Sequence, residues 1–112
     1  MKTGIELIAK ERQRQIVVEG YTSQHDSQHN VNEFISAACT YAAAADLYLW
    51  SDSFDSTSSW HKTNEPFYWN EIKRRWPWGK EYFKPTNTLR DLVKAGALIA
   101  AAIDRLQMEN KD

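Results

Sequence analysis

The sequence has few cysteines, glycines and prolines and almost no net charge, and each shortage argues against a class of protein. The single cysteine, Cys39, cannot form an intramolecular disulfide and is expected to be a small residue in a helical core. Four glycines and three prolines are few for an all-β protein, which needs many turns. A net charge of -1 provides no general attraction to phosphate backbones, so no nucleic acid polymer is expected as a partner.

Long apolar runs are missing as well. No stretch is long enough to cross a membrane, and the first residues lack the apolar segment of a signal peptide. We therefore expect a cytoplasmic protein with no membrane partner. With 112 residues, of which 42% are hydrophobic, the chain is long enough for one modest folded domain.

Hydrophobic residues at helical spacing predict three long helices. Their expected ranges are residues 4–18, 31–50 and 88–108. An exposed loop over 51–65, rich in Ser, Asp and Thr, and an aromatic-rich insertion over 66–85 separate the last two helices. We predict a single all-α domain over 1–112, a bundle of three long helices with a short aromatic insertion.

Pairs of capping residues mark two of the predicted helix starts. Thr3 and Glu6 form a capping box at the first helix, and Thr88 and Asp91 form another at the last. The last helix is apolar almost all round, and Gly96 and several alanines allow close approach of a second helix. Such a helix needs more than one neighbour, so we expect a homo-oligomer, either a dimer or a tetramer.

Arg12 lies beside the apolar stripe expected on the first helix, which contains Ile5, Ile8 and Ile16. Its stem could pack on the core while its guanidinium reaches water. Alternatively, the guanidinium enters a polar cleft and binds a carboxylate or a phosphate. Glu11 belongs to a neighbouring polar row of the same helix.

Lys94 is the only charged residue between Asp91 and Asp104 in the last helix. An amine in apolar surroundings needs a carboxylate, a phosphate or an exit to water. We expect an acidic group, Glu33 or Glu11 from a neighbouring helix, within salt-bridge reach of this amine.

The segment before the second helix has the densest group of potential metal ligands. His25, His29 and Glu33 are spaced i, i+4 and i+8, which places them on one helical face, and Asp26 lies among them. Two imidazoles and a carboxylate can bind one cation. Alternatively, Asn30 and Glu33 form a capping box, and the histidines belong to a solvated turn before the helix.

The aromatic insertion alternates tryptophans and other aromatic residues with lysines and arginines. Trp76 and Trp78 could stack on a nucleotide base while neighbouring cations touch its phosphates. The same rings could instead close the core of a small helical domain, and this packing role is favoured because tryptophans bury well.

Several short strings in the chain resemble a known group of proteins. They are ERQRQ at 11–15, EGYT at 19–22, His25-Asp26, His29, Glu33-Phe34, the alanine-rich helix that follows, WPW at 76–78, Lys84-Pro85 and LVKAGALI at 92–99. Together they resemble small proteins of phages and prophages that are associated with the MazG-like all-α nucleoside triphosphate pyrophosphohydrolases. The resemblance covers most of the chain outside residues 51–65.

This resemblance implies a metal-dependent enzyme that cleaves the α–β phosphate link of a dNTP or NTP, releasing a monophosphate and pyrophosphate. In that superfamily, acidic pairs on helices hold Mg²⁺ against the phosphates. The resemblance implies metal binding by Glu33, His25, Asp26 and His29. Glu11 would be a further metal ligand or a general base that activates water, and Arg12 and Lys94 would bind phosphate. Trp76 and Trp78 would close over the nucleobase. Histidine ligands would favour Mn²⁺ or another transition ion over Mg²⁺.

The chain departs from the acidic pairs of that superfamily. Glu33 is followed three positions later by Ser36, and Asp91 by Lys94, so the second acid is missing in both places. A lysine could take over part of the electrostatic role. The alternative is a non-catalytic phage accessory module, which would bind a host protein or small ligand through exposed tryptophans.

Overall fold

The chain folds as an all-α protein, as its hydrophobic spacing predicts. A computed structural model describes residues 1–18, 30–53 and 67–109, and no strand occurs within these residues. In chain order, the elements are α1 (Gly4–Val17), α2 (Val31–Ser53), the short helix α3 (67–73), a 3₁₀ turn (Lys80–Tyr82) and α4 (Thr88–Glu109).

The observed helices lie close to the predicted ranges. The capping box at the start of α1 is confirmed, since the Thr3 hydroxyl accepts from the Glu6 amide at 3.2 Å and the Glu6 carboxylate accepts from the Thr3 amide at 3.3 Å. α2 continues to Ser53 and so includes the first positions of the loop predicted over 51–65. The rest of that loop lies outside the described residues. In the described part of the chain, no helix is both long and apolar enough to cross a membrane.

α4 begins differently from the prediction. The Asn87 side chain accepts from the Arg90 amide at 2.8 Å, so Asn87 caps the helix. The Thr88 hydroxyl instead donates to the Ala45 carbonyl of α2 at 3.0 Å, which ties the two helices together. The predicted capping box between Thr88 and Asp91 is therefore wrong.

The core lies between α2 and α4, whose facing sides consist largely of small residues. Its buried members are Phe34, Ala37, Ala38 and Tyr41 from α2, and Ala95, Leu98, Ala101 and Ala102 from α4. Because most of them are alanines, the two helix backbones can approach closely. Trp76, Trp78 and Phe83 pack against this cluster from the segment that precedes α4.

α1 packs on α4 through a face that differs from the predicted one. Ile5 is 83% exposed, whereas the buried residues of α1 are Glu11 and Gln15. Ile8 does face α4, where it lies beside Gly96. A β-carbon added at Gly96 would come within 2.5 Å of Cδ1 of Ile8. The missing side chain at this position therefore lets α1 approach α4.

Cys39 is exposed on α2, so its predicted place in the core is wrong. Ile35, one turn earlier, and Leu49 further along the helix are also exposed, at 46% and 56%. This face of α2 points away from α4. An alanine-rich helix contains too few large side chains for its sequence to show which face is buried.

We predict that Gly96→Ala destabilises the fold by about 1 kcal/mol, because the clash with Ile8 outweighs the helix propensity that alanine gains. In an Ile8→Ala background the clash is gone, and the same substitution should be neutral or stabilising by up to about 1 kcal/mol. Urea unfolding of the four variants in the double-mutant cycle measures this change of sign. An equal destabilisation in both backgrounds would rule out the Ile8 contact as its cause.

Candidate functional site

A buried carboxylate joins α1 to α4. The side chain of Glu11 is only 1% exposed, and both of its oxygens accept hydrogen bonds. Arg14, one turn later, donates from Nε to Oε1 at 2.8 Å and from Nη2 to Oε2 at 2.7 Å. Arg90 of α4 donates from Nη2 to Oε1 at 2.5 Å. Glu11 is thus shared by two guanidinium groups from different helices.

These contacts keep Glu11 ionised despite its burial. Burial by itself would raise the pKa of the Glu11 carboxyl. Hydrogen bonds from Arg14 and Arg90, together with their positive charges, outweigh burial and hold the pKa below its ordinary value. A carboxylate with a lowered pKa and no unoccupied oxygen is better suited to positioning the guanidinium groups than to accepting a proton from water.

Gln15 extends this arrangement into the interior. It is 3% exposed, and its Nε2 lies 3.4 Å from Oε2 of Glu11. Its Oε1 is buried and has no hydrogen-bond partner among the described residues. A buried amide oxygen of this kind would be satisfied by a water molecule or a ligand donor.

A second buried carboxylate lies one position after Arg90. Asp91 is 0% exposed and accepts from the backbone amide of Thr86, at 3.0 Å to Oδ1 and 3.3 Å to Oδ2. Burial raises the pKa of Asp91, and neither the Thr86 amide nor the charges of Lys94 and Arg90 fully offset this effect. Asp91 therefore fixes the chain leading into α4 at an electrostatic cost.

Lys94 holds the same leading segment. Its Nζ donates to the Lys84 carbonyl at 2.7 Å and lies 3.3 Å from Oγ1 of Thr86. The amine also lies 5.2 Å from the centre of the Tyr41 ring, within cation–π range. Burial lowers the pKa of Lys94, and the nearby Asp91 carboxylate only partly opposes this shift.

The expected salt bridge from Lys94 to Glu33 or Glu11 is absent from the described residues. Two oxygen acceptors near the start of α4 occupy the amine instead. Lys94 still feels the charges of Glu11 and Arg90 at longer range. The predicted salt bridge of Lys94 is therefore wrong, and the Asp91 and Glu11 carboxylates act on this amine only through their charges.

Charged groups from α1 and α4 thus form one charge cluster, defined as Glu11, Arg14, Arg90, Asp91 and Lys94. Three cations and two anions give a net charge of +1 when Lys94 is protonated. The acidic members are almost fully buried, whereas the arginine side chains are 36% and 37% exposed. The cluster therefore presents positive charge toward solvent, an arrangement that favours binding of an anion.

Trp76 and Trp78 pack mainly on other aromatic rings. Trp76 lies edge-on to Tyr41 with ring centres 5.4 Å apart, and Trp78 lies edge-on to Phe34 at the same distance. The Trp76 indole also donates to the Gly79 carbonyl at 2.9 Å. These contacts support the packing interpretation of the insertion. The Tyr41 ring meets both Trp76 and Lys94, so the insertion adjoins the charge cluster.

Arg12 lies away from the charge cluster. Its side chain is only 11% exposed, and its Nε lies 3.6 Å from the Asp104 carboxylate near the end of α4. The structure therefore favours the interpretation in which the guanidinium meets a carboxylate, over the one in which it reaches water. Arg12 of α1 therefore lies near the end of α4, whereas Lys94 lies near its start, so the two residues that the resemblance pairs for phosphate binding are not brought together.

The predicted metal-binding set falls largely outside the described residues. His25, Asp26 and His29 lie there, and only Glu33 belongs to the described part of the chain. The Glu33 carboxylate accepts from the Asn30 amide at 3.0 Å, as the capping interpretation predicts. Within residues 1–18, 30–53 and 67–109, no group of three His, Cys, Asp or Glu side chains could hold a metal ion. The described residues do not by themselves fit a divalent cation.

Sequence reasoning named Glu11 and Lys94 but missed their most important neighbours. Arg14 follows Glu11 at a spacing of three, which is a known signal for a helical ion pair, so this contact could have been found. Arg90 could not, because its partner lies in a distant part of the chain.

Comparison with family models, curated proteins and solved structures finds no match to this chain.

We predict that Glu11→Gln lowers the free energy of unfolding by about 2–3 kcal/mol, because two guanidinium groups lose their shared charge partner. This loss of free energy is smaller than the usual cost of breaking a fully buried ion pair, because water partly screens both arginines. Chemical unfolding at neutral pH measures it. The matched control is Glu71→Gln, which removes a pair with Arg74 at the same spacing but on the exposed surface. That change should cost about 0–1 kcal/mol, and equal costs would show that burial of Glu11 adds nothing.

The same pair of proteins gives a prediction on pH. Because the folded pKa of Glu11 is lowered from 4.5, its contribution is fully present above that value and is lost as the pH falls through the folded pKa. The stability difference between wild type and Glu11→Gln should therefore be constant at neutral pH and shrink on acidification. Asp91 titrates in both proteins and cancels in the comparison. A difference that grows toward low pH would contradict the lowered pKa.

Proposed function

We propose that this protein hydrolyses nucleoside triphosphates to a monophosphate and pyrophosphate, and that its charge cluster binds the substrate's phosphates. The observation that carries this proposal is the buried Glu11 carboxylate, which holds guanidinium groups from two helices in fixed positions. The resemblance to the MazG-like pyrophosphohydrolases supports the same assignment. Two of its strings, ERQRQ and LVKAGALI, supply Glu11, Arg14 and Lys94.

Arg90 is the residue best placed to meet a phosphate. It uses one N–H group on Glu11, and no other side chain among the described residues accepts from its guanidinium. A guanidinium has five N–H donors in a planar fork that matches two phosphate oxygens. Arg90 could therefore bind phosphate while it remains anchored to Glu11, and its partial exposure leaves a path for the ligand.

In the proposed reaction, water attacks the α-phosphorus and the bond from that phosphorus to the α–β bridging oxygen breaks. Pyrophosphate leaves with the bonding electron pair, and the proton of the attacking water passes to solvent. Negative charge is spread over the phosphate oxygens as this bond breaks. Guanidinium groups that are positioned before the substrate arrives stabilise this charge without reorganising.

Other residues have supporting roles in this proposal. Glu11 positions Arg14 and Arg90, and Lys94 contributes positive charge while it holds the segment before α4. Mg²⁺ or Mn²⁺, when bound, would neutralise phosphate charge. The proposed ligands beside Glu33 are His25, Asp26 and His29, which lie outside the described residues.

The alternative of a non-catalytic accessory module has less support. It predicts that tryptophans form an exposed apolar patch. Trp69 instead lies edge-on to Tyr48 at 5.1 Å, and Trp76 and Trp78 pack against α2. None of Trp69, Trp76 and Trp78 is among the large exposed hydrophobic residues.

We predict release of pyrophosphate from at least one member of a panel of canonical and modified dNTPs, in the presence of Mg²⁺ or Mn²⁺. Arg90→Met should lower kcat/KM on that substrate by about 100-fold, because an anchored charge is lost from the phosphate site. The control is Arg74→Met. Arg74 lies in the turn after α3, and its side chain is 75% exposed. Its kcat/KM should stay within about twofold of wild type.

Two outcomes would contradict the proposal. One is the absence of turnover across the whole panel by protein that circular dichroism shows to be folded. The other is turnover that Arg90→Met and Arg74→Met leave equally unchanged. Because Arg90→Met also removes a contact of Glu11, rates are compared well below the melting temperature of each variant.

A further inference from the structure

Polar side chains form the buried part of the contact between α1 and α4. Along the described helix Gly4–Val17, the buried residues are Glu11 and Gln15. Ile8 lies beside Gly96, a residue without a side chain to pack on, and Ile5 is 83% exposed. Docking of α1 therefore removes little apolar surface from water, and undocking returns hydration to two polar groups.

Two ion pairs hold α1 in opposite directions along α4. Glu11 accepts from Arg90 near the start of α4, and Arg12 lies 3.6 Å from Asp104 near its end. Water reaches one partner of each pair, because the side chains of Arg90 and Asp104 are 37% and 54% exposed. Ion pairs that are open to water contribute less to stability than the burial of large apolar side chains does.

α2 and α4 are joined by the opposite kind of contact. Phe34 and Leu98 are 1% and 2% exposed in their shared core, and Trp78 and Phe83 pack against it. Among the described residues, this core contains none from α1. The contacts between α2 and α4 therefore do not require α1 to be docked.

We propose that α1 opens and closes on α4 as a separate unit, while α2 and α4 stay folded against each other. A helix of 14 residues is marginally stable alone in water, so its own hydrogen bonds break once it undocks. Glu11 and Arg14 leave the charge cluster with α1, whereas Arg90, Asp91 and Lys94 remain on α4. The charge cluster is therefore complete only in the closed state, and α1 acts as its cover.

Hydrogen exchange of single amides, measured by NMR where rates report opening equilibria, tests this proposal. Amides of residues 8–14, in the middle of α1, should be at least about 100-fold less protected than the core amides of residues 37–45 and 95–102. Equal protection of the two sets would mean that the fold opens only as a whole, which would overturn the proposal.

Two substitutions separate undocking of α1 from global unfolding. Leu98→Val loosens the core between α2 and α4, which stays intact when α1 opens. It should therefore speed exchange of the core amides about tenfold and leave the α1 amides within about twofold of wild type. A variant that speeds both sets equally would overturn the proposal.

Asp104→Asn is the matched variant on the other contact. It weakens the pair with Arg12, which exists only in the closed state from which every opening starts. Both sets of amides should therefore exchange faster by the same factor, about two- to fivefold. If α1 merely frayed while Arg12 stayed in place, its amides would not respond, and that result would overturn the proposal.

Inorganic pyrophosphate tests the link between closure and the charge cluster, and this measurement rests on the proposed function. If phosphates need Arg14 as well as Arg90, pyrophosphate binds only the closed state. It should then slow α1 exchange about tenfold at ten times the dissociation constant that calorimetry gives. Binding that leaves α1 exchange unchanged would overturn the role of α1 as a cover. No binding at all would contradict the proposed function, and the two substitutions would still decide whether α1 opens.

Discussion

The shared contact of Glu11 with Arg14 and Arg90 is the interaction on which the position of α1 depends. The carboxylate is fully buried, so it is tolerated only because two cations from different helices reach it. Apolar packing between α1 and α4 is limited, since Ile5 is exposed and Ile8 meets a glycine. An electrostatic contact therefore holds α1 against α4, whereas a hydrophobic face holds α2 there.

The segment that leads into α4 is fixed by the same kind of chemistry. The Asp91 carboxylate accepts from the Thr86 amide, Lys94 donates to the Lys84 carbonyl, and the Tyr41 hydroxyl accepts from the Lys84 amide at 3.0 Å. Side chains from two helices thus satisfy the backbone of a stretch that forms no regular structure. This stretch connects the aromatic insertion to α4, so the packing of the tryptophans and the geometry of the charge cluster depend on each other.

The helices could be predicted from the sequence, because the period of apolar residues depends only on local geometry. The buried face of α1 could not. Glu11 belongs to a polar row of α1, and its burial depends on Arg90 of the distant α4 as well as on Arg14. The sequence marks Lys94 as an unusual charge in an apolar helix. It does not identify the partners of its amine, because these are a backbone carbonyl and a hydroxyl, groups that occur throughout the chain. Because α2 is rich in alanine, its sequence likewise did not show that Cys39 is exposed.

Stability and anion binding are linked in this arrangement. The charge cluster carries one more cation than anions when Lys94 is protonated, and burial lowers the pKa of Lys94. An anion bound at Arg90 would add the missing negative charge and favour the protonated amine. A ligand that binds only the folded state stabilises it in proportion to its own affinity. Burial makes the protonated Lys94 costly without a ligand, and a bound phosphate would offset this cost through the excess positive charge of the cluster.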